Sequence, residues 1–135
     1  MCVSAAIEKL VEFYQGNLHD IEHFLKVWAF AKTIGEQEGL DRHTQQVLEL
    51  ASVMPRAFFA GLPVSEQDAE RISWLAAHHH TYSAVDGPDY QILLEADFLV
   101  NAGESGYKTS AVEAARKNFF KTSFGTRLPD KIYLR

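Results

Sequence analysis

Between Tyr90 and about Asn101 the chain runs through Ile92, Leu93, Leu94, Ala96, Phe98, Leu99 and Val100 with hardly a polar break. A helix so apolar on every side does not belong on a surface, so the other segments must wrap it. Those segments carry the 3–4 residue spacing of amphipathic helices. Ile7, Leu10, Val11 and Tyr14 predict a first helix from about Ser4 to Gln15, broken by Gly16-Asn17. Ile21, Phe24, Leu25, Trp28, Ala31 and Ile34 predict a second from about His19 to Glu38, stopped at Gly39. Asp41 is placed to cap a third, with Val47, Leu48, Leu50, Ala51 and Met54 behind it and Pro55 at its end. Residues Ala57 to Pro63 read as a helical turn leading to a loop. Ser65 with Asp68 three residues on opens the next helix, which runs into His78-His79-His80. Asp86-Gly87-Pro88-Asp89 is a turn, Gly103 to Gly106 a loop, Ser110 to Phe120 a further helix, and the tail a short segment. Strand signals are weak. The expected fold is all-α, a compact single-domain bundle of about five to six helices over residues 1–135.

Composition narrows the function classes. With 135 residues the chain is one domain with a single core. A net charge of −5 argues against broad nucleic-acid or membrane-surface binding, which needs a basic face. It leaves room for a local basic pocket. The single cysteine, Cys2, rules out an intrachain disulfide and suits a reducing cytoplasm. The N-terminus does not read as a secretory signal, and no apolar run approaches the roughly 18 residues of a membrane span. A homo-oligomer stays open, because Trp28, Trp74, Phe58 and Phe59 suit either core or interface.

Three places carry metal-ligating side chains. His23 lies near the start of the second helix with His19 one turn earlier; a solvated polar face with Asp20 and Glu22 is the competing reading. Of His78, His79 and His80 at a helix end, at most two can address one site, since adjacent residues project about 100° apart. A histidine capping the helix C-terminus is the alternative there. Asp97 is the sharpest single residue. A carboxylate inside an apolar run is costly unless paired, hydrogen-bonded or metal-bound, and Lys26 or Arg71 are the competing ion-pair partners. Glu95 faces elsewhere on the same helix and reads as a supporting or surface group.

These residues resemble the HD superfamily of metal-dependent phosphohydrolases, in a small bacterial form. His19-Asp20-Ile21-Glu22-His23-Phe24-Leu25-Lys26-Val27 resembles the family's opening helix, and His78-His79-His80-Thr81-Tyr82 through Glu95-Ala96-Asp97 its second half. Phe119-Phe120-Lys121-Thr122-Ser123-Phe124-Gly125 is similar to the tail of a subgroup. The resemblance implies a helical bundle and a cytoplasmic hydrolase of a small phosphate ester, such as a nucleotide. It implies His23 and Asp97 as metal ligands, with His78 and His79 as second-metal ligands or phosphate contacts. Lys26 would face phosphate charge, though a solvated lysine fits as well. The ion would be divalent, with manganese, iron, magnesium, nickel, cobalt and zinc not distinguished. The family's defining His-Asp pair should follow Ala51-Ser52-Val53-Met54, where this chain reads Pro55-Arg56. A segment bearing the pair therefore reads as missing between Met54 and Pro55. Either the protein has lost it, or the sequence omits a loop. Loss would leave an inactive HD-like module that binds a phosphorylated ligand or a protein partner.

Overall fold

The computed structural model describes residues 2–54 and 64–135. Its described residues form an all-helical bundle without strands: α1 (Cys2–Phe13), α2 (Leu18–Gln37), α3 (Arg42–Val53), α4 (Glu66–His78), α5 (Pro88–Glu104), α6 (Thr109–Asn118) and α7 (Arg127–Ile132). No helix among them is long and apolar enough to cross a membrane. The Met54–Pro55 junction and the turn expected over 57–63 lie outside the described residues.

The predicted caps form. Asp41 accepts from the Thr44 amide at 2.8 Å, and Ser65 from the Asp68 amide at 3.1 Å. Each satisfies an amide that a helix N-terminus would otherwise leave unpaired. Asn17, read only as a breaker, caps α2 by accepting from the Asp20 amide. In α1 the buried positions are Ala6 and Leu10, while Val11 is turned outward.

Helix α5 is the axis of the bundle. Ten consecutive residues of it beyond the first turn, Gln91 to Val100, are buried, as the apolar run requires. Helix α2 packs on it and on α3, and α3 also contacts α1 and α4. The expected loop over 103–106 is corrected, because α5 continues through Gly103 to Glu104. A β-carbon at Gly103 would collide with the Tyr133 hydroxyl, so glycine is required at this helical position. The turn is made one step later by Gly106 at φ +60°. The tail is also more ordered than a short segment, since residues 127–132 form α7.

Glu95 is corrected more sharply. It is fully buried. Its Oε2 accepts from the Lys121 amide at 2.9 Å, the Thr122 amide at 3.1 Å and Gln91 Nε2 at 2.6 Å, while Oε1 accepts from the Thr122 hydroxyl. A buried carboxylate is tolerable when its lone pairs are met in this way. Gly125 completes the nest, because a β-carbon there would collide with Glu95 Oε1 and Thr122 Oγ1. This fastens the segment after α6 to the centre of α5. Replacing Glu95 by Ala takes the acceptor from two part-buried amides and a hydroxyl, and we expect a loss of about 2 kcal/mol in urea denaturation. A midpoint unchanged from wild type would show that the clamp holds nothing.

Candidate metal centre

Asp97 sits in the middle of α5 with its side chain 3% exposed. Its two oxygens face different neighbours. Oδ1 lies 3.5 Å from His23 Nε2, on α2. Oδ2 lies 3.4 Å from His80 Nδ1, just past the end of α4, and accepts from Asn101 Nδ2 at 2.9 Å, one turn along α5. His79 completes the group: one donor atom each from His79, His80 and Asp97 lie within 4.8 Å of one another. Below them Ala51 and Ser52 of α3, with Phe24, Val27, Ala76 and Leu93, close a small void against His79 and Asp97. The C-terminal end of α3 thus meets α2, α4 and α5 at this place.

The end of α4 is pinned so that the histidines arrive together. His79 is the C-cap. The Tyr90 hydroxyl, from α5, reaches the carbonyls of Thr81 at 2.5 Å and His78 at 3.2 Å. His79 Nδ1 is 2.6 Å from the Ala76 carbonyl. A carbonyl can only accept, so Nδ1 carries the proton and Nε2 keeps its lone pair. Burial pushes His79 below the ordinary histidine value, outweighing the attraction of Asp97, and this favours the neutral ring that a metal requires.

His23 is oriented from behind. Its Nδ1 lies 2.8 Å from Glu104 Oε1, at the last turn of α5, which turns Nε2 toward Asp97. The Asp97 carboxylate first and Glu104 next raise the His23 pKa above its ordinary value, against the opposing effect of burial.

Of the residues named from the sequence, His79 and Asp97 fall in one group with His80, and His23 faces the other oxygen of Asp97. His78 is set apart. Its ring stacks on Trp74 at 4.2 Å, and its Nδ1 is tied to the Trp74 carbonyl at 2.7 Å, one turn back on α4. His80 takes its place because the chain leaves helical geometry after His79. Lys26 is directed to Glu104 at 3.7 Å with its side chain half exposed, and not to Asp97. The competing partners of Asp97 are engaged elsewhere: Arg71 pairs with Asp86 and Asp89. His19 is exposed beside Asp20, and His43 pairs with Asp68 on the surface. Glu104 was missed by the sequence reading, because α5 was ended at Asn101. Its spacing from Asp97, two helical turns on the same face, was the available signal.

The donor set fits a divalent ion. Two imidazoles and a carboxylate are borderline-to-hard ligands of first-row metals. Ligands about 2.1 Å from a common ion lie roughly 3–4 Å apart, and His80 Nδ1 stands 3.4 Å from Asp97 Oδ2, whereas N–H···O hydrogen bonds centre near ~2.9 Å. No family model, curated protein or solved structure matches this chain.

In protein stripped of divalent ions, His23 should titrate above pH 6.5 and His79 below it. The raised His23 contributes stability that is full below pH 6.5 and lost as pH rises through its folded value. The depressed His79 contributes stability present above pH 6.5 and lost as pH falls through its folded value. Histidine NMR titration reads both. Glu104→Gln should lower the His23 midpoint, and an unmoved midpoint would remove Glu104 from this role.

Proposed function

We propose that this chain is an HD-type, metal-dependent phosphohydrolase acting in the cytoplasm on a small phosphate ester, with a nucleotide as the leading candidate. One observation carries the reading: Asp97, His79 and His80 converge on one point at the α3, α4 and α5 junction, with His23 facing the same carboxylate. The resemblance named His23 and Asp97 from residues 74 positions apart, and their side chains meet at 3.5 Å. A bound divalent ion would supply an activated water and a Lewis acid for a phosphoryl oxygen.

The chain's own residues have definite tasks. Asp97 supplies the negative charge that holds the ion. His79 offers a neutral Nε2, fixed by its Nδ1 bond to the Ala76 carbonyl. His80 supplies the exposed donor, at the mouth of the site. His23 lies on the other side of Asp97, and Glu104 fixes its ring. Glu104 thereby makes the carboxylate–histidine pairing that commonly orients metal ligands. Lys26, half exposed and 3.7 Å from Glu104, is a cation available to phosphate charge.

A second reading, the non-catalytic module that binds a phosphorylated ligand or a partner, is favoured by a specific feature of the sequence. At the place of the family's His-Asp pair this chain carries Pro55-Arg56. The two readings part on turnover. The first predicts metal-dependent release of phosphate from a nucleotide or simpler ester. The second predicts binding of the ester without release.

Elemental analysis of the purified protein, after incubation with manganese or nickel, should give near-stoichiometric metal. An Asp97→Ala variant should lose it. Affinity should fall as pH drops, by up to about tenfold per pH unit for each proton displaced, because a ligating imidazole must give up its proton to bind. Absence of metal in the wild-type chain, or equal metal in the variant, would refute the proposal.

A further inference from the structure

An aromatic cluster borders the candidate metal centre and is used by nothing described so far. Tyr82 lies two residues after His80, and Phe98 directly follows Asp97. Tyr82 stacks on Phe119 with ring centroids 4.3 Å apart and planes 12° from parallel. Phe98 meets Phe119 edge-on at 5.2 Å and Tyr107 at 5.5 Å. Phe98 is buried and acts as the support. Tyr82 and Tyr107 are 45% and 42% exposed, and they are two of the few large apolar side chains so open among the described residues. Phe119 is delivered by the segment that Glu95 clamps through the amides of Lys121 and Thr122.

From this arrangement we propose that Tyr82, with Tyr107 beside it, is the specificity-determining platform of the site, taking the planar aromatic group of a phosphate ester. This rests on the phosphate-ester reading above. Three features point to that occupant. The platform begins two residues from a metal-facing histidine, and Tyr82 is near enough to Asp97 for its phenol to feel the carboxylate's charge, so a ligand with phosphate at Asp97 would extend toward the rings. Phe119 covers one face of Tyr82 at stacking distance, and Tyr82 still leaves 45% of its surface to solvent. Fixed aromatic faces bind planar π-systems with little loss of conformational freedom, and they do so without reading an edge. An aliphatic phosphate would gain nothing from them. Glu95 is then a positioning residue, since it holds Phe119 and through it the Tyr82 ring.

Calorimetric titration with adenosine 5′-monophosphate and with ribose 5-phosphate, which differ by the base alone, tests the platform. Manganese-loaded wild-type protein should bind the first roughly ten- to a hundredfold more tightly. Tyr82→Phe should keep that preference. Tyr82→Leu should bring the two ligands to near parity with metal content unchanged, and Tyr107→Leu should reduce the gap. Equal affinities in the wild-type protein, or a preference that survives Tyr82→Leu, would overturn the proposal. Failure of the metal reading is seen separately in the metal content. In that event adenosine without phosphate is titrated into ion-free protein. Binding that Tyr82→Leu abolishes supports the platform, and no binding overturns it.

Discussion

Everything in this bundle depends on how three carboxylates are kept on a helix that has almost no contact with water. Asp89, Glu95 and Asp97 are all at least nine-tenths buried on α5. An unpaired charge in that setting costs more than a domain of this size can spare. Each acid is answered by a different part of the chain. Arg71 of α4 meets Asp89 through two nitrogens, at 3.0 and 2.7 Å. The amides and hydroxyl of 121–122 meet Glu95. His23 and His80, with Asn101, meet Asp97. The three acids therefore attach α4, the tail and the candidate site to one axis.

The three solutions differ in chemistry, and the difference separates structure from function. Arg71 is a permanent cation held in a fork, and its attraction to Asp86 and Asp89 raises its already high pKa further. Glu95 is satisfied by hydrogen bonds alone and is closed to solvent by its own partners. Asp97 has neither a permanent cation nor a closed nest. Its facing partners are imidazoles, which can bind a metal as neutral rings, and they stand about 3.5 Å away. An acid left with long contacts to imidazoles, a side-chain type able to ligate a metal, is the one of the three that is open to exchange its partners.

Much of this was legible in the sequence. The apolar run from Tyr90 forced a buried central helix, and Asp41, Ser65 and Gly39 marked helix ends for local reasons that the fold did not override. Asp97 stood out because a lone acid in such a run demands a partner. Three features were not legible. Which two of the three histidines turn toward Asp97 depends on the residue at which α4 stops, and helix ends are the least determined part of a sequence pattern. Glu95 looked like an ordinary helix acid because its partners are backbone amides 26 and 27 positions away, which no side-chain pattern records. Glu104 was hidden because Gly103 reads as a helix stop, whereas its glycine makes room for the Tyr133 hydroxyl within a helix that continues.

The central claim is that Asp97 shares an ion with the histidines at the end of α4. A crystal grown with manganese, with anomalous differences collected across the metal's absorption edge, tests it most directly. The account predicts a peak about 2.2 Å from the Asp97 carboxylate and from a nitrogen of His79 or His80. A protein saturated with manganese whose anomalous peak lies elsewhere, or that shows none at Asp97, would contradict it.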